Sequence, residues 1–278
     1  MNQLKEYKRQ VEIAAYVLEN PDKYSEFELS EKFKIGTSTL HRDFRILREM
    51  NVDVRSRKKR IVIDISSKHL NSLLSTYISV CTQNNIRNLK QLRQKFKNKT
   101  ISIFVDMFKA INEKRCLQMN YFYSESEGLI NKIVEPLYLN PTRKSFYLIA
   151  FENGELRFFR LEGIETVRLT STKFNRSIPL LSDIYKNSWG VYSGGPEIVA
   201  KLRFNKDKES YFKNRILAEE QEVKYVSGGI LVELKVKLSF EFVSWVMGWG
   251  KEVKIVGPEE LKEQVLLKAR GLLDNNKK

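Results

Sequence analysis

The chain has 278 residues, of which 42% are hydrophobic and 11% aromatic, and this composition excludes an intrinsically disordered protein. Lys and Arg number 49 against 34 Asp and Glu, which gives a net charge of +15 and indicates a polyanionic partner. No stretch approaches the roughly 18 uninterrupted apolar residues of a membrane helix, and the N-terminus lacks the apolar segment of a signal peptide. We therefore expect a folded protein that has no membrane partner.

The positive charge is concentrated at one end of the chain. Residues 1–100 hold 21 basic and 11 acidic side chains, whereas residues 101–278 hold 28 and 23. The N-terminal third is therefore the part of the chain that we expect to contact a polyanion.

Few residues could support catalysis or metal binding. Cys81 and Cys116 are isolated, without the spacing of a disulfide framework or a zinc site, and we expect both to be buried thiols. His41 and His69 are the only histidines, and no Gly-rich phosphate loop or HExxH spacing occurs. The sequence predicts no catalytic residues, no metal and no cofactor, and hence a protein that is not an enzyme.

Two helices are predicted at the N-terminus. An amphipathic helix has apolar residues from Leu4 to Leu18 and ends at Asn20-Pro21. Ser25 and Glu28 have the spacing of a capping box, which predicts a second, short helix. A tight turn is predicted at Ile35-Gly36, with Gly36 as a tolerated cap for a third helix.

The third helix has two different faces. Leu40, Phe44 and Leu47 recur at helical spacing and form an apolar face, while the opposite stripe is polar and cationic. Such a helix can pack on a small domain and also enter a nucleic-acid groove. The candidates for DNA contact on this helix are Thr37, Ser38, Thr39, His41, Arg42 and Arg45.

A basic hairpin is predicted after the third helix. The segment VDVRSRKKRIVID is interpreted as two short strands joined by RSRKKR, and such a cluster of like charges favours a position next to phosphates. The candidate phosphate contacts are Arg55, Arg57, Lys58, Lys59 and Arg60. The alternative is a basic helix and loop that are only solvated.

These elements resemble the winged helix-turn-helix of bacterial transcription factors, including the run Thr39, Leu40, His41, Arg42 and Asp43. The resemblance implies sequence-specific binding to duplex operator DNA.

A helical connector is predicted next. Residues 65–105 contain no acidic residue, and the apolar stripe from Leu70 to Cys81 has the period of an amphipathic helix. Either this chain or a second copy could cover the stripe, and we favour a partner subunit. A second helix, from Ile86 to Phe96, carries basic residues for which a solvated face and auxiliary phosphate contacts remain open alternatives.

From residue 117 the pattern becomes strand-like. Five β-rich segments, LQMNYFY, KIVEPLYL, SFYLIAF, LRFFRL and ETVRLT, predict a small five-stranded barrel. A preceding helix with Phe104, Phe108 and Ile111 on one side is expected to plug or flank it.

Residues 101–176 resemble a WYL domain, a small Sm-like barrel of bacterial regulators. The motifs that carry this resemblance are Tyr121, Lys132-x-Val134-x-Pro136, Phe146-Tyr147-Leu148 and Arg157-x-Phe159-Arg160-Leu161-x-Gly163-Ile164. Three positions depart from the pattern, because Phe146 replaces Trp, Lys132 stands where Arg is usual, and Gly163 replaces a frequent Arg.

The cations and aromatic residues of this region suit a nucleotide or single-stranded nucleic-acid effector, since bases stack on aromatic rings and phosphates bind Lys and Arg. The candidate effector-binding residues are Tyr121, Lys132, Tyr147, Arg157, Phe159 and Arg160. Alternation along the strand sends Arg157 and Arg160 to opposite faces. Phe146 and Phe158 are expected to be core.

The last segment has the order strand, helix, strand, strand, helix, strand, helix, which predicts a ferredoxin-like sandwich. It resembles the WCX extension found beside WYL domains, in a run that includes Trp245, Gly248, Gly250, Val253 and Pro258. This resemblance implies dimer contacts and effector sensing, with Trp245 expected in the core.

The sequence thus predicts an α+β multidomain protein. Its parts are a winged helix-turn-helix over 1–64, a helical connector over 65–100, a WYL Sm-like barrel over 101–178 and a WCX ferredoxin-like α/β sandwich over 188–278. We expect a cytoplasmic, nucleoid-associated homodimer that represses transcription and responds to its effector. The alternatives are a constitutive DNA-binding or architectural protein and, less favoured, a nucleic-acid-processing enzyme.

Overall fold

The computed structural model describes residues 2–82, 89–124, 126–142, 145–191 and 194–277. The chain divides into two compact units, residues 1–177 and 178–278. Within the described ranges, no helix is both long enough and apolar enough to cross a membrane.

The first unit begins with three helices and a hairpin, as the sequence predicts. Their bounds are α1 Asn2–Glu19, α2 Glu26–Phe33, α3 Thr37–Glu49, β1 Asp53–Arg57 and β2 Arg60–Asp64. The predicted capping box is present at α2, because the Glu28 N–H donates to Ser25 Oγ at 3.2 Å and the Ser25 N–H donates to Glu28 Oε2 at 2.6 Å. Gly36 is the N-cap of α3, as predicted, and offers no side chain to it.

Three further helices follow, namely α4 Ser67–Thr82, α5 Lys90–Phe96 and α6 Thr100–Glu113. The apolar stripe of α4 is buried within the same chain, so the expectation of cover by a partner subunit was wrong. Tyr77 packs edge-on against Phe108 of α6 with ring centroids 5.7 Å apart, and the Tyr7 hydroxyl of α1 donates to the Leu73 carbonyl at 3.2 Å. The predicted helix start at Ile86 lies outside the described residues.

Five strands follow α6 and confirm the five predicted segments. They are β3 Arg115–Phe122, β4 Leu129–Pro141, β5 Phe146–Glu152, β6 Glu155–Arg160 and β7 Ile164–Lys173, in one antiparallel sheet with the order β6-β5-β4-β3-β7. Phe104 of α6 packs against the Phe146 ring at 5.5 Å, so Phe146 is core, as predicted. One continuous hydrophobic core extends from Val11 in α1 through α4 and α6 to Ile164 in this sheet.

The second unit contains α7 Leu181–Tyr185, β8 Glu197–Phe204, α8 Glu209–Lys213, β9 Gln221–Val226, β10 Gly229–Lys237, α9 Phe240–Met247, β11 Val253–Gly257 and α10 Glu259–Asn276. The sheet order β11-β8-β10-β9 is that of the predicted ferredoxin-like sandwich. Its core includes Phe204, Phe212 and Phe242. Trp245 is half-buried, with its ring 4.6 Å from that of Trp189.

Candidate nucleic-acid interface

The third helix has one buried and one exposed face, as its spacing predicts. Leu40, Phe44 and Leu47 are at most 3% exposed and join the core. The predicted DNA contacts point away from this core. Thr37, Ser38, His41, Arg42 and Arg45 are exposed, and Thr39 is half-buried.

An ion pair with a buried carboxylate holds α3 against α1. Asp43 is fully buried and accepts hydrogen bonds from Arg9 Nε at 2.7 Å, Arg9 Nη2 at 2.9 Å and Gln10 Nε2 at 3.0 Å. A buried carboxylate requires such partners, since an unpaired one is costly. Asp43 therefore orients the exposed face of the helix. Sequence reasoning noticed Asp43 only as part of a motif, and no spacing signal identifies Arg9 as its partner.

Three basic side chains on the outer face of α3 each have a carboxylate partner. His41 Nε2 lies 2.9 Å from Glu26 of α2, and Arg42 Nη2 donates to Glu6 of α1 at 3.1 Å. Arg45 Nε lies 3.8 Å from Glu49 on its own helix. The charge of this face is thus partly balanced before any nucleic acid is present.

The tip of the hairpin is smaller than the sequence predicted. Only Lys58 and Lys59 form the turn, while the strands extend through Arg57 and Arg60. The backbone φ angles of Lys58 and Lys59 are +49° and +63°. This left-handed conformation costs a residue with a side chain about 1 kcal/mol, and two-residue hairpin turns of this kind ordinarily favour Asn-Gly. Two lysines in this turn are an unfavourable choice for stability, and they place two ammonium groups at the tip.

Two of the five predicted phosphate contacts have structural roles. Arg55 forms ion pairs with Asp53 at 3.0 Å and Asp64 at 3.6 Å. Arg60 Nη1 donates to the Lys23 carbonyl at 2.9 Å and to Glu28 at 2.5 Å, which ties the hairpin to α2.

The remaining cations, Arg57, Lys58 and Lys59, are exposed and have no ion-pair partner in the described part of the chain. They are the cations of the hairpin that are available to phosphates without breaking a contact.

Three of the predicted effector-binding residues lie together. Tyr121 is 8% exposed, its hydroxyl accepts the Arg160 N–H at 3.2 Å, and its ring lies 5.3 Å from that of Phe159. Lys132 Nζ lies 6.0 Å from the centroid of the Phe159 ring and forms an ion pair with Glu152.

Tyr123 completes this group, although sequence reasoning did not select it. Its ring lies 4.7 Å from that of Tyr121 and 4.9 Å from Lys132 Nζ, and 43% of the residue is exposed. Strand alternation could have found it, because residues two apart point the same way.

The structure does not bring all six predicted effector residues to one place. In the β5–β6 pair, Tyr147 lies opposite Arg160, whereas Phe159 lies opposite Leu148. Partners in this register share a face, and no bulge interrupts it, so Arg160 and Tyr147 point away from the face of Arg157 and Phe159. The expected separation of Arg157 and Arg160 is confirmed, and the candidate effector residues of this strand pair are divided between its two faces.

The cations of this region also have carboxylate neighbours. Arg157 pairs with Glu155 at 2.5 Å, and Arg160 Nε lies 3.7 Å from Glu162. For Lys132, burial acts to lower the pKa, but the contacts with Glu152 and Tyr123 together outweigh it and raise the pKa above its ordinary value.

Comparisons with known proteins identify two domains. The family model of the WYL domain matches residues 102–169, and that of the WCX domain matches residues 196–273. Among solved structures, proteasome accessory factor B/C (PafBC) of Arthrobacter aurescens is 15% identical with a TM-score of 0.31, over 98% of this chain and 54% of that one. The chain thus spans about half the length of that structure. A CRISPR Cas-related protein is 11% identical with a TM-score of 0.41, over 99% of this chain and 86% of the other. No curated protein matches.

Proposed function

We propose that this chain, which belongs to the family of WYL-domain proteins that also carry a WCX domain, is a DNA-binding transcription regulator. One observation carries the proposal. The outer face of α3 exposes Ser38, His41, Arg42 and Arg45, and it is followed by a hairpin whose tip, Lys58 and Lys59, has no ion-pair partner among the residues that the structure describes.

In this proposal α3 enters the major groove and the hairpin lies along the phosphates. His41, Arg42 and Arg45 read base edges, and Thr37, Ser38 and Thr39 contact the backbone or bases near the N-terminus of the helix. A good bidentate base contact contributes about 1–3 kcal/mol of discrimination. Each phosphate contact contributes about one unit to the slope of log affinity against log salt.

A homodimer that reads an inverted repeat is the second part of the proposal. The support for it is the exposure of four leucines on α10, since Leu266, Leu267, Leu272 and Leu273 are 45–72% exposed in the single chain. Exposed apolar side chains favour association. Two copies of α3 related by a twofold axis would then bind half-sites separated by whole helical turns.

We further propose that the WYL domain binds a nucleotide or a short single-stranded nucleic acid. Tyr123 offers an exposed ring for base stacking beside Lys132, and Arg157 lies on the same face as Phe159. Tyr147 and Arg160 would contact a separate part of a longer ligand. Because one core joins the sheet to α1, a ligand that prefers one arrangement of the unit can change DNA affinity. Repression of transcription, modulated by this ligand, is the mode of action that we propose.

A constitutive DNA-binding protein is the second candidate. It is favoured by the carboxylate beside each cation of the effector region and by Gly163, which stands where the family often has Arg.

A mobility-shift assay separates the two candidates. The full chain is incubated with duplex DNA from the region upstream of its own coding sequence, with and without short single-stranded oligonucleotides. The regulator predicts a shift that changes with the oligonucleotide and is lost in Arg42→Ala. A shift that no oligonucleotide alters supports the constitutive protein, and no shift with any duplex overturns the proposal.

A further inference from the structure

We infer that Glu6 and Glu26 restrain the binding of this chain to DNA by holding Arg42 in an ion pair and His41 in a hydrogen bond. The two glutamates would thereby act as inhibitory contacts on the outer face of α3. This inference rests on the proposed function, because it assigns a role to residues beside the DNA-reading face of α3.

Both contacts join different helices. Arg42 Nη2 lies 3.1 Å from Oε1 of Glu6 in α1, and His41 Nε2 lies 2.9 Å from Oε2 of Glu26 in α2. The side chains are 31–60% exposed, so a nucleic acid that approaches α3 can reach both members of each pair. These pairs come from the packing of three helices and not from the i, i+4 spacing of one helix.

The exposure of these side chains determines how strong the contacts are. An ion pair on the surface contributes only about 0.2–1 kcal/mol, so DNA can break it. Breaking the contact subtracts that amount from the free energy of binding. This penalty is the same for every DNA sequence.

DNA sequences differ in the contacts that they offer to Arg42 in exchange for Glu6. At a cognate site Arg42 replaces Glu6 with the acceptors of a base edge, and a bidentate contact of that kind is worth about 1–3 kcal/mol. At a random site Arg42 finds at best a phosphate, which the hairpin cations already engage. Because the penalty is common to all sequences, it lowers the affinity for cognate and random DNA alike and leaves the ratio between them unchanged. Only a site that offers Arg42 good base contacts is then bound strongly.

The hairpin shows the opposite arrangement. Within the ranges that the structure describes, Arg57, Lys58 and Lys59 have no carboxylate partner, and they can bind phosphates without losing a contact. The hairpin cations can thus attract any DNA through its phosphates, whereas the basic residues of α3 must first exchange a carboxylate partner for the DNA.

The experiment measures the affinity of the full chain for one 20-bp duplex of arbitrary sequence at low salt. Glu6→Gln and Glu26→Gln should each bind this duplex about two- to fivefold more tightly than the wild type, the equivalent of one lost surface pair. Glu31→Gln is the matched control, because Glu31 is exposed on α2 and has no ion pair among the described residues, and it should change the affinity by less than about twofold.

A double-mutant comparison tests the pairing itself. In an Arg42→Ala background, Glu6→Gln should gain no more than the Glu31→Gln control, and in a His41→Ala background the same should hold for Glu26→Gln. Glu6→Ala serves as a second variant, and thermal melting checks that each protein is folded.

A gain in Glu6→Gln that persists without Arg42, or that equals the gain in Glu31→Gln, would overturn the inference and leave the proposed function intact. A wild-type chain that binds no duplex would instead overturn the proposed function.

Discussion

The ring of Tyr121 lies against Gly163. A Cβ atom on Gly163 would come within 2.6 Å of Tyr121 Cζ, a distance at which one of the two residues must move. The Tyr121 hydroxyl also accepts the Arg160 N–H, so the ring is held from two sides. The absence of a side chain at Gly163 therefore leaves the space that the Tyr121 ring occupies.

We predict that Gly163→Arg destabilises the protein by about 1–3 kcal/mol, because it overpacks the contact with Tyr121. Urea unfolding followed by circular dichroism measures the free energy of unfolding. Gly271→Ala is the control, since a Cβ on this helical glycine meets nothing within 4 Å and should be neutral or slightly stabilising. Equal effects of the two changes would contradict the packing at Gly163.

Asp43→Ala should lower the free energy of unfolding by about 3–5 kcal/mol, because the change leaves Arg9 without the carboxylate that pairs with it. The double change Arg9→Met with Asp43→Leu should recover part of this loss, since it removes both charges and fills a similar volume but leaves the buried Gln10 Nε2 without its acceptor. Denaturant unfolding of the two variants and the wild type provides the test. If Asp43→Ala is as stable as the wild type, the ion pair does not hold α3 against α1.

Lys59→Gly and Lys59→Gln should differ in stability and agree in DNA binding. Both remove one cation from the hairpin tip and should reduce the salt slope by about one unit. Only glycine relieves the left-handed backbone at φ +63°, so Lys59→Gly should be more stable than Lys59→Gln by about 1 kcal/mol. Thermal melting and salt titration of DNA binding measure the two effects. Identical stability of the two variants would contradict the left-handed backbone conformation of Lys59 in the turn.

Burial raises the pKa of Asp106 in α6 to about 6, and the charge of Glu19 adds to this effect, while Lys109, Lys32 and Arg115 oppose it. The folded protein therefore binds a proton on this carboxyl more tightly than the unfolded chain, whose Asp pKa is about 3.9. Ionisation of Asp106 then costs stability as the pH rises from about 4 to about 6, and the cost is constant above that range.

Asp106→Asn should accordingly stabilise the protein by roughly 1–3 kcal/mol at pH 7.5 and by little at pH 4. Unfolding curves at the two pH values check this. Asp274→Asn, at an exposed carboxylate on α10, should leave the stability unchanged at both. If Asp106→Asn stabilises the protein equally at pH 4, the gain in stability does not come from the ionisation of Asp106.

The periodic features of the structure were predictable from the sequence, and the long-range pairings were not. Spacing identified the buried face of α3 through Leu40, Phe44 and Leu47, and the Ser25–Glu28 capping box placed the start of α2. These are signals between residues that are close along the chain. The pairing of Arg42 with Glu6 joins residues 36 positions apart, and no local pattern encodes it.

The register between strands of the sheet could not be predicted from the sequence either. Alternation within β6 correctly separated Arg157 from Arg160, because the period of two belongs to a single strand. It could not show that Tyr147 lies opposite Arg160, since pairing between strands depends on the turn that connects them. The size of the hairpin tip was overestimated for a similar reason. Five cations lie close together in the sequence, and no local pattern shows which of them belong to the strands.

We propose that the exposed face of α3 reads DNA sequence, and the sharpest test compares Arg42→Ala with the wild type on two duplexes. One duplex is the site enriched by the wild-type chain from a random-sequence pool, and the other is an arbitrary sequence of equal length. We predict that Arg42→Ala loses at least about tenfold in affinity for the enriched site, as expected for one bidentate base contact, and changes little on the arbitrary one. Equal weakening on both duplexes would contradict the claim, because Arg42 would then contact only phosphate.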